Sequence, residues 1–200
     1  MEKVVLGLGS NLTDRTKNLT SAFRLLIERS IIRAPIRVSS TCQSPALVPD
    51  GAPKAWKKCF LNIAIEGNTA LSPFELLTQI KQLEKDLGRK QHEKWAPREI
   101  DIDILFYSEF EIHNEQLQIP HPENFNRDFI LRSLQDLFPN RSEFQRDFSQ
   151  DCQRIPLQIL PFELVGILNV TPDSFSDGNE WFKPQHAKQQ AEKLVKPGRV

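Results

Sequence analysis

The spacing of apolar residues changes several times along the chain, and each change marks an element. Residues 3–8 (KVVLGL) form a β-branched, apolar run that predicts a buried strand, broken by Gly9-Ser10-Asn11. Residues 17–32 follow helical spacing, with Leu19, Phe23, Leu26 and Ile27 on one face, and Pro35 bars further helix. Residues 36–43 alternate like a strand. Residues 44–57 (SPALVPDGAPKAWK) hold three prolines and a glycine, which predicts a long loop of the kind that often carries function. Alternation resumes over 59–66, with Phe60, Asn62 and Ala64 on one side and Leu61, Ile63 and Ile65 on the other.

Ser72-Pro73-Phe74-Glu75 is a helix start: an N-cap serine, proline in the first turn and the acid of a capping box. Leu76, Leu77, Ile80, Leu83 and Leu87 carry that helix to Gly88. A basic loop spans 89–98, a strand 100–107, an extended IPHP segment 119–122, and a third helix 126–138. The order is βαββαβ plus one helix, which predicts an α+β fold. The expected form is a ferredoxin-like antiparallel sheet with helices on one face and a ligand cleft on the other. Residues 1–140 are expected to be one domain and 141–161 a polar linker. At Phe162 the strand-like pattern restarts, so 162–200 reads as a separate segment.

Composition narrows the class. In 200 residues, 39% are hydrophobic and thirteen are Phe, enough to bury a core and to exclude global disorder. No apolar run approaches a membrane span, and the N-terminus lacks secretory-signal features. Cys42, Cys59 and Cys152 have no metal spacing and read as cytosolic thiols, so a cytoplasmic protein is expected. Net charge is zero, yet residues 1–100 carry sixteen Lys and Arg against ten Asp and Glu, with the opposite balance in 101–200. No strong general field points to nucleic acid.

The most informative local feature is Asp101-Ile102-Asp103 within an apolar strand. Residues i and i+2 share a strand face, so the two carboxylates stand side by side about 7 Å apart and repel unless a cation intervenes. Two Mg²⁺ ions with phosphate oxygens as their other ligands would suit that pair. Arg89, Lys90, Lys94, Trp95 and Arg98 lie just upstream, supplying guanidinium forks for phosphate and an aromatic plane. A bare pair of this kind is more often a solvated strand edge; the basic flank shifts the balance.

KWAPREIDIDIL (94–105) resembles the signature of the 6-hydroxymethyl-7,8-dihydropterin pyrophosphokinases of folate biosynthesis. LGSNL (8–12), SPAL (44–47), FLN (60–62), Gly88-Arg89, IPHP (119–122) and NRDFIL (126–131) extend the resemblance over 1–138. It implies pyrophosphoryl transfer from ATP to the pterin hydroxymethyl oxygen, with AMP leaving. It also implies two Mg²⁺ ions on Asp101 and Asp103, with Arg89 and Arg98 in catalysis. ATP would be bound by Glu84, Arg89, Trp95, Arg98, Ile104, His121 and Arg127. Ser44, Pro45, Leu47, Phe60, Asn62 and Phe129 would form the pterin pocket, with the two phenylalanines sandwiching the ring. The chain departs from the family at Gln91 and Glu123, where arginine is common, and in a longer 48–58 loop. A second reading therefore stays open: a catalytically weakened nucleotide- or pterin-binding module attached to a synthase.

GILNVTPDSFSDG (166–178) resembles the first strand and loop of dihydropteroate synthase, a (β/α)₈ barrel of about 250 residues. Asn169 matches a metal- and pyrophosphate-linked position there. Fewer than 40 residues follow residue 162, too few to close a barrel, so the chain reads as the front part of a bifunctional enzyme. Its expected partners are ATP, the pterin and the remainder of the synthase, with no synthase activity from this length.

Overall fold

A computed structural model describes residues 1–90, 93, 95–145, 148 and 152–160. Its centre is an antiparallel sheet in the order β5-β1-β4-β3-β8, with β2 also paired to β4. The strands are β1 (Glu2–Ser10), β2 (Arg33–Val38), β3 (Thr41–Ser44), β4 (Phe60–Thr69), β5 (Asp101–Tyr107) and β8 (Gln153–Ile155). β6 (Ile112–His113) and β7 (Gln118–Ile119) form a separate two-stranded hairpin.

Strand alternation decides what each sheet face holds. Val4, Leu6 and Leu8 of β1, Leu61, Ile63 and Ile65 of β4, and Ile102 and Ile104 of β5 share one buried cluster. Leu19, Phe23 and Leu26 of α1 (Arg15–Glu28) and Leu76, Ile80 and Leu83 of α2 (Pro73–Asp86) complete it. Asp14 caps α1 by accepting from the Lys17 N–H (3.0 Å). Glu75 closes the box at α2 by accepting from the Ser72 N–H (2.8 Å), and each such cap is worth about 1 kcal/mol. The sequence pattern carried α1 to residue 32, but the helix stops at Glu28. Ser30 turns left-handed (φ 55°), which returns Ile31 and Ile32 to the core as loop residues.

The second face holds a smaller cluster. Val5, Ala64 and Leu105 meet Ile130, Leu131, Leu134 and Leu137 of α3 (Asp128–Leu137). The two helices of the βαββαβ unit, α1 and α2, cover one side of the sheet, and the further helix α3 covers part of the other, the side expected to hold only the cleft. The cleft lies on the part of that second face that α3 leaves open.

The expected strand 36–43 is broken in two. At the break the Ser39 N–H donates to Ala64 O, and Ser39 Oγ accepts from the Ala64 N–H (both 2.9 Å). Ser40 donates from its backbone N–H to Asp136 of α3 (3.0 Å). Val38 pairs with Ile65 but Cys42 with Asn62, a slip of one residue. Such a slip exchanges the faces of all following side chains, so Cys42 and Ser44 stand beside Asn62 and Phe60 on the cleft side.

The linker expected over 141–161 is also corrected. Phe144 is buried against α3, and Gln153–Ile155 pair with Thr41–Gln43 as an edge strand. The Thr41 hydroxyl donates to Leu157 O, and Ile159 is buried in the main cluster. Residues 161–200, including Asn169 and the whole synthase-like segment, lie outside the described residues.

Candidate active site

A cleft of about 390 Å³ opens on the α3 side of the sheet, a volume suited to small-molecule ligands. Its floor is made of strand positions that alternation turns that way: Gly7 and Gly9 of β1, Phe60, Asn62 and Ala64 of β4, and Asp101, Asp103 and Leu105 of β5. The glycines make room. A Cβ on Gly9 would lie 2.9 Å from Asn62 Oδ1, and one on Gly7 would press on Leu105. Phe129 and Ser133 of α3 form one wall, and Pro45 and Leu47 another.

The polar end of the cleft is a linked set of ion pairs. Arg89 meets Asp101 (2.7 Å) and also Glu84, and Arg98 meets Asp101 (3.0 Å). Asp101 and Glu84 hold Arg89 firmly protonated, outweighing a burial that works the other way. Asp103 is pushed up to about 6 by burial and then by the adjacent Asp101 charge, with Lys81 and Arg127 opposing. Among the described residues no group of three or more His, Cys, Asp and Glu gathers as a protein-only metal cage. Two carboxylates with open neighbouring space are the donor set Mg²⁺ uses when phosphate oxygens and waters complete its shell.

His121 and Arg127 line the same end. Burial and Arg127 lower the His121 pKa, so its ring is neutral at pH 7. Its Nδ1 accepts from the Glu123 N–H (3.2 Å), leaving the ring proton on Nε2. Glu123 also lies 3.5 Å from Arg127.

Most sequence-predicted residues converge here: Arg89, Trp95, Arg98, Asp101, Asp103, His121, Arg127, Pro45, Leu47, Phe60, Asn62 and Phe129 all line the cleft. Three do not. Ile104 alternates to the other face of β5 and its side chain is buried in the α1–α2 core, so only its backbone is left to face the nucleotide end. Glu84 is buried on α2 behind the cleft wall. There it accepts from the Ile102 N–H (2.8 Å) and pairs with Lys81 (3.0 Å) and Arg89. Ser44 is buried behind Asn62, whose Nδ2 donates to it (3.0 Å).

Two contributors were missed. Lys81 lines the cleft; its spacing of three from Glu84 on one helix face was the available signal. Asn11 is buried; its Oδ1 accepts from the Arg98 N–H (2.8 Å) and its Nδ2 donates to Lys58 O (3.2 Å). It thus fixes the backbone that carries Arg98, a role that no sequence pattern announces.

The family model for 7,8-dihydro-6-hydroxymethylpterin-pyrophosphokinase (HPPK) matches residues 5–139. The chain belongs to the HPPK family. An Aquifex aeolicus 2-amino-4-hydroxy-6-hydroxymethyldihydropteridine pyrophosphokinase is 40% identical over 144 residues, covering 70% of this chain and 82% of that protein. The folate synthesis bifunctional protein of Chlamydia trachomatis is 34% identical over 212 residues, covering 98% of this chain and 47% of its relative. The chain therefore spans about half the length of the bifunctional relatives it matches. A crystal structure of a Plasmodium falciparum HPPK-DHPS triple mutant superposes with a TM-score of 0.60 at 19% identity, over 97% of this chain and 53% of that one. That likeness concerns the fold. Among the described residues no helix is long and apolar enough to cross a membrane.

Proposed function

We propose that this chain is an ATP-dependent pyrophosphokinase that transfers the β,γ-pyrophosphoryl group to the hydroxymethyl oxygen of 6-hydroxymethyl-7,8-dihydropterin, releasing AMP, in folate biosynthesis. The observation that carries this reading is the joining of two half-sites in one cleft. Asp101 and Asp103 lie among Arg89, Arg98, Lys81 and Arg127, and Phe60, Asn62 and Phe129 lie alongside. We assign the sheet to the ferredoxin-like class, with β2 and β3 together serving as its second strand.

Asp101 and Asp103 would hold Mg²⁺, two ions in our reading. Held there, Mg²⁺ would supply charge neutralisation for the triphosphate and for the oxygen that leaves with AMP. Arg89 and Arg98 present guanidinium donors to the same oxygens, and Glu84 and Asn11 keep them in place. Neutral His121 offers its Nε2–H and Arg127 its charge. Trp95 gives an apolar plane at the nucleotide end. Phe60 and Phe129 stack on the pterin, Asn62 reads its edge with Ser44 fixing the amide, and Pro45 and Leu47 close over it. The reaction requires no covalent enzyme intermediate.

The 162–200 segment, with Asn169, we assign to the start of a dihydropteroate synthase domain, in keeping with the bifunctional relatives. A cytoplasmic setting belongs to the same proposal. Assay of AMP release with pterin and Mg·ATP tests it. We expect turnover that needs both substrates, and Phe60→Ala and Phe129→Ala should raise the pterin KM while sparing ATP binding. Tight binding of both ligands without AMP release would support the weakened-module reading instead.

A further inference from the structure

Two of the three cysteines, far apart in sequence, meet in a part of the fold that the proposed chemistry does not use. Cys42 and Cys152 are both buried, and their Sγ atoms lie 2.7 Å apart. Cys42 pairs with Asn62 on one side and with Arg154 of β8 on the other. Cys152 stands at the entry to β8, on the edge of the sheet, and both remain thiols. The third cysteine, Cys59, is exposed.

We propose that Cys42 and Cys152 are a reversible disulfide site that fastens β8, the last described strand, to β3. The two thiols have different parts. The Cys152 thiol is pushed down by the hydrogen bond from Cys42 and, against burial, by Arg132 of α3; the Cys42 thiol is pushed up by the same hydrogen bond and by burial. Cys152, at the entry to the edge strand, takes the attacking part in the exchange, and Cys42, held between β4 and β8, the resolving part. The oxidant is a low-molecular-weight disulfide such as oxidised glutathione. Cys152 attacks one of its sulfurs, forming a mixed disulfide and releasing the first glutathione thiolate. Cys42 loses its proton, attacks the Cys152 sulfur and expels the second. Two protein thiols are oxidised, one glutathione disulfide is reduced to two thiols, and the two cysteine protons end on them.

Access follows from the position of the pair. β8 is three residues long and lies on the sheet edge, where strands open most readily. Once formed, the bond joins points 110 residues apart, and such long closures restrict the unfolded chain most. Since Cys42 neighbours Asn62 and Arg132 lies on α3, the crosslink sits behind the pterin end of the cleft.

The test uses the full 200-residue chain. It is equilibrated with oxidised glutathione, blocked with N-ethylmaleimide in denaturant, and mapped by mass spectrometry without reduction. The expected result is a linked Cys42–Cys152 peptide with Cys59 outside the link. The melting temperature should rise by roughly 5 °C or more and return with dithiothreitol. Cys59→Ser should behave as the wild type, and Cys152→Ala should show no oxidant-dependent rise. Labelling of both Cys42 and Cys152 after oxidation would overturn the proposal. So would a linked species that melts no higher than the reduced chain, and both readouts on the wild type stand even if a variant fails to fold.

Discussion

At Asp103, burial and the Asp101 carboxylate both favour the protonated form and push the group up to about 6, from an ordinary 3.8. Because the folded pKa lies above the unfolded one, its contribution to stability is full below about pH 4 and is lost as pH rises through 6. On the proposed metal assignment, a divalent cation with nucleotide would reverse that loss by binding the ionised pair. Thermal melts should therefore show Mg²⁺ plus nucleotide raising the melting temperature more at pH 7.5 than at pH 5; equal shifts would contradict this reading of the pair. Gly9 makes a second prediction. An alanine there would press on Asn62, whose amide already donates to buried Ser44. Gly9→Ala should fold, yet bind pterin roughly tenfold more weakly in a titration, the equivalent of about 1.4 kcal/mol from a displaced buried hydrogen bond. Much of this was legible in the sequence. A period of two put Asp101 and Asp103 on one face of β5, where both line the cleft. Lys81 left only its spacing from Glu84 as a signal, and Asn11 left none, because its role depends on the loop that the fold brings against it.

Among the elements, α3 decides the shape of the cleft. It seals Val5, Ala64 and Leu105 on one part of the sheet face and leaves the glycine-lined part open, with Phe129 at the boundary. Leu134 is fully buried at that contact. Leu134→Ala should cost about 2–5 kcal/mol in urea unfolding, since the cavity it leaves is walled by strands that cannot collapse inward. A loss below 1 kcal/mol would mean that α3 is not firmly seated. The sequence reading placed a third helix over 126–138, but a helical stretch does not say which side of the sheet buries it. The break between β2 and β3 was hidden for a related reason. Ser39 substitutes for ladder partners through its side chain, and alternation over 36–43 looks the same with or without that slip. The capping box and Gly88 of α2, being local chemistry, were read correctly in place.

At the scale of the whole molecule, the segment after α3 changes where the pyrophosphokinase unit ends. Its high Gln, Arg and Asp content looked like a linker, because a three-residue edge strand such as Gln153–Ile155 leaves almost no hydrophobic trace. The pairing with β3 and the burial of Phe144 and Ile159 tie it to the sheet. Deletion of residues 161–200 should leave pterin pyrophosphokinase turnover unchanged. Deletion from residue 141 should instead lower the melting temperature clearly, because β8 and the Phe144 contacts go with it. Equal behaviour of the two truncations in a thermal scan would return the boundary to residue 140. The chemistry itself is tested most directly by ³¹P NMR of the full chain with Mg·ATP and 6-hydroxymethyl-7,8-dihydropterin. Attack at the β-phosphorus yields AMP and a pterin diphosphate, whereas attack at the γ-phosphorus would yield ADP and a pterin monophosphate. The account predicts AMP and the diphosphate in equal amounts, with Asp101→Asn and Asp103→Asn each slowing their appearance by roughly a hundredfold or more. ADP with a monophosphate, or near-normal product formation by either variant, would contradict it.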